Sequence, residues 1–502
     1  MTPRLGYRTS LLILCGLFGL IGVYRGAGLV QEHYGLRLSA LAQARTAPAS
    51  PITFEPSTHA ARIDELLASA AARGTHWGVF ALDVTTGETV YAFNGDQLFQ
   101  PASVNKLIST ATALDRLGGR FQFSTALSLE GWRKDSLFVG SIRISGDGDP
   151  SFGSMYDRGR DPLERWISAL RNEGISHIKA SMVREERGNF TQRYPEGWDH
   201  ALIRRHGFAP AQSGLVYHDN LVSISISTPS VDQPGRFEQW PANYLKIANQ
   251  TLVKSGWRGP PIDVLRATVQ DSVYFAGTLR SGYRGTIRLP VYDPPALFEE
   301  ALLNRFQLRG IVYSHVDQPE APDASFESYQ QRYEIESAPL GALIKEVNKR
   351  SNNLYAEQIY RRVGNGDLRA AERQTMRFLN EEGINARYFV FADGSGLSRR
   401  NLVSPEGLAR LLAVMTQHEE AASFRASLAQ SGERGSTLRY RLSDLNAKGK
   451  TGSMERVRSL AGYVETTSGR ELAFVVFANN YPRSSVAITN ITDQIIRELA
   501  SL

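Results

Sequence analysis

Residues 100–119 read QPASVNKLISTATALDRLGG. Apolar side chains recur in this stretch at helical spacing, and the closing Gly-Gly predicts where the helix ends. Ser103 and Lys106 stand three residues apart at its start, so the hydroxyl and the ammonium lie on one helix face. A serine hydroxyl is a weak nucleophile, and a lysine serves as its base when burial lowers the lysine pKa from about 10.4. The stretch therefore predicts a nucleophile and its base at a helix N-terminus.

A second Ser-x-x-Lys, Ser176–Lys179, lies in the stretch GISHIKAS. Its β-branched residues and the preceding glycine predict a strand, in which positions i and i+3 point to opposite faces. We therefore do not interpret it as a second site.

The tripeptide Ser351-Asn352-Asn353 opens the helical run NNLYAEQIYRRVG. Ser351 is a candidate relay that carries a proton to a leaving amine, and the Asn353 amide is a candidate to hold a substrate carbonyl. Serine and asparagine are also the preferred helix N-cap residues, so the tripeptide alone favours a cap over a catalytic role.

The tetrapeptide Lys450-Thr451-Gly452-Ser453 follows a glycine and precedes the strand pattern SLAGYVET. A strand beside the nucleophile would present the lysine and the threonine hydroxyl to a substrate carboxylate. Gly452 would let the substrate backbone approach without a Cβ in the way. The alternative is a basic turn that precedes a strand.

Ser-x-x-Lys, Ser-x-Asn and Lys-Thr-Gly in this order are the signature of penicillin-recognising acyl-transferases. The flanks EVNKRSNNLYAEQIYRRVG, FADGSGLSRRNLVSPEGL and KGKTGSMERVRSLAGYVET resemble the D-alanyl-D-alanine carboxypeptidase/endopeptidase family, the class C low-molecular-weight penicillin-binding proteins. The resemblance runs from about Ala60 to the C-terminus. It implies an α/β (α+β) serine transpeptidase/β-lactamase-like core, split in sequence by inserted β-rich domains.

The spacing of the motifs agrees with a split core, since Ser351 follows Ser103 by 248 residues. The core is expected from 60–122 plus 330–502. The strand-rich and turn-rich stretch 123–329 forms the insertion, with a nested domain near 216–285. Periodicity predicts strands and helices at both ends of the chain: Trp77–Asp83, Thr89–Phe93, Leu340–Val363, Pro405–Gln417, Ser459–Val464, Glu471–Ala478 and Ile488–Leu499.

The residues and the resemblance together assign the following roles. Ser103 attacks a D-Ala-D-Ala peptide bond, and Lys106, kept neutral by burial and by the field of Lys450, takes its proton. Ser351 relays a proton to the leaving amine. The remaining assignments are carbonyl orientation by Asn353 and Thr451, carboxylate recognition by Lys450 and Thr451, and an oxyanion hole from the backbone N–H groups of Ser103 and Ser453.

The resemblance implies two further substrate contacts, Asp149 and Arg399, and each of them also has a purely structural interpretation. Asp149, in GDGDP, faces the cleft from the insertion or is simply a turn residue before proline. Arg399, in DGSGLSRRN, contacts a substrate carboxylate or lies on the surface. The family implies peptidoglycan stem peptides ending in D-Ala-D-Ala as substrates and β-lactam antibiotics as covalent inhibitors, with no metal or cofactor.

Two rival functions are weighed against this one. A serine β-lactamase shares the three motifs but needs a glutamate for its deacylating water, for which Glu382 in a Glu-x-x-Asn arrangement is the candidate. The long insertion disfavours it. A catalytically idle cell-wall-binding module is the second rival, and the complete motif set gives it little support.

Composition and the N-terminus bear on the compartment. A net charge of +6 over 502 residues does not indicate nucleic-acid binding, and the single cysteine, Cys15, excludes an intramolecular disulfide. The apolar run Leu11–Tyr24, flanked by arginines, is shorter than the about 20 residues of a membrane span. Residues 1–44 are therefore expected to be a signal peptide or a short N-terminal membrane anchor with a linker. Export to the periplasm or to the outer face of the cytoplasmic membrane follows.

Overall fold

The structure, a computed structural model, describes residues 58–155, 161–199, 203, 207–241, 244–256, 258, 262–266, 271–482 and 484–502. The expected export segment, residues 1–44, lies outside these ranges, and so does Cys15. Within the described ranges no helix is long and apolar enough to cross a membrane. Residues 58–502 form one compact unit.

A six-stranded antiparallel sheet lies at the centre of the unit. Across the sheet, its strands are Ala429–Gln430 (β16), Ala447–Met454 (β17), Val457–Glu465 (β18), Glu471–Asn479 (β19), His76–Asp83 (β1) and Thr89–Phe93 (β2). β1 and β19 read HWGVFALD and ELAFVVFAN, nearly continuous apolar runs rather than alternating patterns. Such runs are typical of strands that are buried on both faces.

Helices cover both faces of this sheet. Phe80 and Leu82 pack on one face against helices Lys106–Leu117 (α2), Leu340–Arg350 (α5), Asn353–Val363 (α6), Leu368–Glu381 (α7), Pro405–Gln417 (α8) and Ala421–Ser427 (α9). Val79 and Ala81 pack on the other against helices Thr58–Ala68 (α1) and Ser485–Ala500 (α10). Because every residue from 106 to 114 is buried, α2 runs through the core rather than along its surface.

The chain between α2 and α5 builds a second, five-stranded sheet on its own apolar core. In order across it, the strands are Val312–His315 (β12), His177–Glu186 (β5), Leu137–Gly146 (β4), Ser124–Lys134 (β3) and Glu327–Glu336 (β13), and helices Pro162–Asn172 (α3) and Pro294–Leu308 (α4) pack against it. Lys179 lies on β5 in this sheet, so the strand predicted around the second Ser-x-x-Lys is confirmed.

Two three-stranded sheets share a further core between these elements. One consists of Arg284–Pro290 (β11), Leu221–Ser227 (β6) and Arg236–Trp240 (β7), and the other of Lys246–Lys254 (β8), Ser272–Arg280 (β10) and Asp263–Arg266 (β9). We propose the boundaries 60–122 plus 330–502 for the core, 123–329 for the insertion and 216–285 for the nested domain. The separate apolar cores of these sheets support a division into three parts, but β13 (Glu327–Glu336) and β11 (Arg284–Pro290) extend past the proposed ends at 329 and 285.

The remaining elements are short. They are the 3₁₀ turns Ala102–Asn105, His218–Asn220 and Ala386–Tyr388, and the strand pair Phe389–Val390 (β14) and Leu402–Val403 (β15). The bounds predicted for α8 are confirmed, since Ser404 caps its N-terminus through Gly407 and Pro405 occupies its first turn. The helical pattern predicted over Leu340–Val363 is confirmed as two helices: the backbone turns left-handed at Ser351, and α6 begins at Asn353, where the Ser-Asn-Asn tripeptide was expected to open a helix.

Candidate active site

Ser103 lies in the 3₁₀ turn that directly precedes α2, and not in the first turn of an α-helix as expected. Two neighbours hold this turn in place. The Ser459 hydroxyl donates to the Pro101 carbonyl at 2.6 Å, and Gly396 approaches so closely that a Cβ there would lie 1.9 Å from the Ala102 carbonyl oxygen. Ala102 itself has a φ of 48°, a backbone region that a non-glycine residue occupies only at a cost. The nucleophile is therefore presented by a tight, braced turn.

Lys106 is fully buried beside the nucleophile. Its Nζ lies 3.0 Å from the Ser103 Oγ, 2.6 Å from the Asn353 Oδ1 and 2.5 Å from the Ser395 carbonyl oxygen. The amide and carbonyl oxygens only accept hydrogen bonds, whereas the serine hydroxyl both donates and accepts. A neutral amine keeps its two hydrogens for those two oxygens, which turns its lone pair toward Ser103. This geometry is the one a general base requires.

Asn353 reaches Lys106 because its amide orientation is held from the other side. The Asn353 Nδ2 donates to the Phe208 carbonyl at 2.8 Å, so the Oδ1 faces the lysine. Phe208 belongs to the insertion and lies outside the three motifs. The contact ties the inserted region to the catalytic cluster.

Lys450 is the second fully buried lysine of the site. Its Nζ donates to the Ser351 Oγ at 2.9 Å and to the Thr451 carbonyl at 2.8 Å. Ser351 adopts a left-handed φ of 63° at the end of α5, and the N-cap of α6 is Asn352, whose side chain accepts from the Tyr355 N–H at 3.2 Å. The cap interpretation of the tripeptide thus belongs to Asn352, while Ser351 turns its hydroxyl to Lys450.

The two lysines differ in what sets their pKa. Burial lowers the pKa of Lys106 to about 7, and the nearby carboxylates of Asp393 and Glu357 oppose that effect. Burial also lowers the pKa of Lys450 well below its usual value, and the positive charge of Lys106 lowers it further. Of the two causes expected to keep Lys106 neutral, burial and the field of Lys450, burial is the one that lowers the Lys106 pKa in this structure.

A loop that the sequence analysis left without a structural role positions the Ser395 carbonyl. The buried Asp393 carboxylate accepts hydrogen bonds at 2.6–2.8 Å from four donors: Trp198 Nε1, Gly396 N, Ser398 N and Asn401 Nδ2. The buried Glu357 carboxylate accepts from the Gly394 N–H at 3.2 Å and from the Ser395 N–H at 2.7 Å. Burial and the charge of Asp393 raise the Glu357 pKa to about 7. The sequence offered one signal for this carboxylate: Glu357 is the only acidic residue in α6 and follows the apolar residues Leu-Tyr-Ala.

The strand β17 carries the third motif along the nucleophile turn. A Cβ on Gly452 would lie 2.0 Å from the Ser459 Oγ and 2.7 Å from the Pro101 carbonyl oxygen. The glycine therefore makes room for the nucleophile turn, and not for a substrate backbone as expected. Among the described residues, β16 pairs with β17 only as far as Gly449, so Lys450–Met454 form an edge that an extended peptide can join. Ser453 is exposed on this edge and Thr451 is half-buried.

Asp149 and Arg399, the two further candidate substrate contacts, lie in different surroundings. Asp149 is 2% exposed, and its Oδ1 accepts from the backbone N–H and the hydroxyl of Ser151 at 2.8 and 2.7 Å, which favours the turn interpretation. Arg399 is exposed and spans from the Gln100 side chain, at 3.4 Å, to the Glu455 carbonyl, at 3.2 Å. It thus bridges the segments that lead into the nucleophile turn and out of β17.

Glu382, the candidate β-lactamase glutamate, is exposed at the end of α7. Ser103 and Lys106 make none of their hydrogen bonds in the described ranges with it. The described residues also contain no group of three or more His, Cys, Asp and Glu side chains arranged to hold a metal ion.

Comparisons with known proteins agree with one another. The model of the D-Ala-D-Ala carboxypeptidase 3 (S13) family matches residues 59–502. The D-alanyl-D-alanine carboxypeptidase of Actinomadura sp. (strain R39) is 26% identical over 463 residues, which cover 87% of this chain and 84% of that protein. The D-alanyl-D-alanine carboxypeptidase DacB of Haemophilus influenzae is 25% identical over 430 residues, which cover 81% and 86%.

The fold has a solved counterpart. The crystal structure of penicillin binding protein 4 (dacB) from Haemophilus influenzae superposes with a TM-score of 0.73 at 21% identity, covering 88% of this chain and 99% of that one. The two chains therefore share their fold.

Proposed function

The chain belongs to the D-Ala-D-Ala carboxypeptidase 3 (S13) family, and we propose that it hydrolyses D-Ala-D-Ala bonds of peptidoglycan stem peptides through an acyl-enzyme on Ser103. One observation carries the choice of nucleophile and base. The buried Lys106 Nζ lies 3.0 Å from the Ser103 Oγ, and its two other acceptors cannot give up a proton to it.

Acylation follows from this geometry. Ser103 Oγ forms a bond to the carbonyl carbon while its proton passes to the neutral Lys106. The developing oxyanion is held by the backbone N–H groups of Ser103 and Ser453, and loss of one such donor typically costs about 10²–10³ in rate. Asn353 and Thr451 orient the substrate, and Lys450 with Thr451 attracts its terminal carboxylate.

Departure of the amine uses the second lysine. Once Lys106 gains a proton, its charge makes Lys450 more acidic, and Lys450 donates to Ser351 at 2.9 Å. Ser351 hands a proton to the leaving nitrogen as the C–N bond breaks. Water then attacks the ester, Lys450 regains its proton from that water, and Lys106 returns its proton to Ser103. The products are the free amine and the shortened peptide acid.

The leaving group decides which of two activities is observed. If the amine belongs to D-Ala, the reaction is that of a carboxypeptidase, and if it belongs to a neighbouring stem peptide, the reaction opens a cross-link. β-Lactams enter the same site and acylate Ser103; a structure of the Haemophilus influenzae relative is complexed with a β-lactam. This substrate requires location in the periplasm or at the outer face of the cytoplasmic membrane, reached through the N-terminal export segment. Asp149 and Arg399 stay predictions as substrate contacts.

Labelled penicillin tests the acyl-enzyme. The wild type should bind one label per chain covalently, and Ser103→Ala should bind none. A label that persists in Ser103→Ala, or no label on the wild type, would contradict the mechanism and would favour the idle cell-wall-binding module.

Turnover of penicillin separates this enzyme from a β-lactamase. The acyl-enzyme should be long-lived, because Glu382 is exposed and shares no hydrogen bond with Ser103 or Lys106 in the described ranges. Fast release of hydrolysed penicillin would support the β-lactamase instead.

A further inference from the structure

A segment of the insertion, residues 190–199, lies directly on the loop between β14 and β15, which borders the catalytic cluster. The Ser398 Oγ donates to the Glu196 carbonyl at 2.9 Å, and the Arg400 guanidinium pairs with the Glu196 carboxylate at 2.8 Å. Gly197 has a φ of 83°, and a Cβ there would lie 2.6 Å from the Ser398 Oγ. A glycine at this position therefore lets the two segments lie so close together.

Trp198 follows that glycine and reaches the centre of the loop. It is 5% exposed, and its Nε1 donates to the Asp393 Oδ2 at 2.8 Å. The three other donors to this carboxylate belong to the loop itself: the backbone N–H groups of Gly396 and Ser398 and the side chain of Asn401. Among the described residues, the indole N–H is thus the one donor that the insertion supplies to Asp393.

The Asp393 turn is in direct contact with the base. The Asp393 backbone carbonyl accepts from the Asn105 Nδ2 at 2.9 Å, and the Ser395 carbonyl, two residues further on, lies 2.5 Å from the Lys106 Nζ. Asn105 and Lys106 are neighbours at the start of α2. A displacement of the Asp393 turn therefore changes the surroundings of the base.

Packing alone does not account for the direction of the Trp198 N–H. The ring is buried in a small apolar cluster with Ile203 and Ala209, and an aromatic ring without an N–H would fill that cluster as well. Trp166, also buried in the insertion, has no hydrogen-bond partner for its Nε1 among the described residues. A buried indole in this protein can thus lack a partner, whereas the Trp198 indole meets the carboxylate beside the base.

We propose that Trp198 is a positioning residue of the reaction, whose indole N–H holds the Asp393 carboxylate in place. Through that carboxylate it keeps the Ser395 carbonyl against the Lys106 Nζ. The inference rests on the proposed function, because there this lysine is the general base. The insertion then takes part in the acylation step and does not merely flank the active site.

The pH profile of acylation reports on this positioning. The titratable side chains that act on Lys106 or on the carboxylates near it come from three places: Glu357, Tyr360 and Arg361 from α6, Asp393 from the loop, and Lys450 from β17. Replacement of Trp198 leaves all of them in the chain. If the loop moves away, protonated Lys106 loses a close acceptor and the carboxylate charge near it recedes, and both changes lower its pKa. The acid limb of acylation should therefore move to lower pH.

The experiment compares the wild type with Trp198→Phe, which keeps an aromatic ring and removes the N–H. The rate of acylation by labelled penicillin is measured across the pH range and expressed per chain that finally carries the label, so that unfolded protein does not count. Trp198→Phe should acylate about tenfold more slowly, and its acid limb should lie about half to one pH unit lower. Trp166→Phe removes a buried indole N–H that has no partner among the described residues, and it should leave the limb in place.

A second variant tests the route through the carboxylate. Asp393→Asn should move the limb in the same direction, and Trp198→Phe added to it should move the limb no further. An unchanged rate and limb in Trp198→Phe would overturn the proposal, as would a slower rate with the limb in place, which a purely structural role predicts. A further shift in the double variant would overturn the route through Asp393. Failure of the proposed function has a different signature, since the wild type would then bind no labelled penicillin.

Discussion

Two fully buried lysines, Lys106 on α2 and Lys450 on β17, show how neighbours divide the roles of identical side chains. Burial lowers the pKa of Lys106 to about 7, and the nearby carboxylates of Asp393 and Glu357 oppose that lowering. Among the described residues, no such carboxylate contributes to the pKa of Lys450. Burial lowers that pKa, and the positive charge of Lys106 lowers it further. Residue type and burial alone do not separate a base from a proton donor. Their hydrogen-bond partners do, since Lys106 meets the Ser103 hydroxyl and Lys450 meets the Ser351 hydroxyl.

The largest effect should come from removing the base. Lys106→Met keeps the length of the side chain and removes the amine, so penicillin acylation should slow by about 10²–10⁴-fold, the range of general-base catalysis. Rapid-quench measurement of labelled penicillin checks this. Lys345→Met, on the exposed side of α5, is the control and should acylate normally. Acylation of Lys106→Met within tenfold of the wild type would show that another group takes the proton.

The second-largest effect should come from removing Lys450, the proposed proton donor. Lys450→Met should slow acylation by about 10²-fold, because Ser351 loses the group that supplies its proton. Its pH profile is the sharper measurement. Only neutral Lys106 accepts a proton, so the acylation rate should rise as the pH increases through about 7, in the variant as in the wild type. Disappearance of this acid limb in Lys450→Met would reverse the roles of the two lysines.

A steric change should disturb both lysines together. Gly452→Ala places a Cβ against Ser459 and Pro101 and pushes β17 away from the nucleophile turn. Overpacking of this kind costs about 1–3 kcal/mol, measurable as a lower free energy of unfolding in urea. Acylation should slow by about tenfold through the same displacement. Gly341→Ala in α5, where a Cβ would press on the Ser423 hydroxyl at 3.3 Å, should cost much less than Gly452→Ala and serves as the control.

The smallest effect should be a shift along the pH axis. Glu357 raises the pKa of Lys106, so Glu357→Gln should lower that pKa and move the acid limb of acylation down by about half to one pH unit. A purely structural role would reduce the rate without moving the limb. Glu382→Gln, an exposed change, should leave the profile in place. An upward shift in Glu357→Gln would contradict the electrostatic assignment.

Much of the architecture could be predicted because its signals are local. The bounds of α8 follow from Ser404 and Pro405, which act within one turn of the helix they begin. The final helix and the β18–β19 hairpin were predicted from periodicity to within a few residues. The start of α6 was predicted from the Ser-Asn-Asn tripeptide, but the left-handed backbone at Ser351 was not, since the run on either side of it is helical in pattern. Only the contact of its hydroxyl with Lys450 shows what the left-handed turn accomplishes.

The supporting groups could not be predicted because they act across long separations. Asn353 stands 247 residues from Lys106, and Ser395 stands 289 residues from it. Neither the Phe208 carbonyl that orients Asn353 nor the Glu357 carboxylate that holds Ser395 belongs to a motif. Gly452 was correctly noticed, but the reason for a glycine lies in the turn packed against it.

By itself, the amino-acid sequence determined the three motifs, their order and the helix and strand patterns that carry them. These depend on spacings of a few residues, which backbone geometry converts directly into shared faces. Tertiary structure alone decided which lysine has carboxylates near it, why Gly452 is glycine, and that the Phe208 carbonyl orients Asn353. Burial and charge at a point in space are summed over whatever surrounds it, and here the surroundings come from both ends of the chain and from the insertion between them.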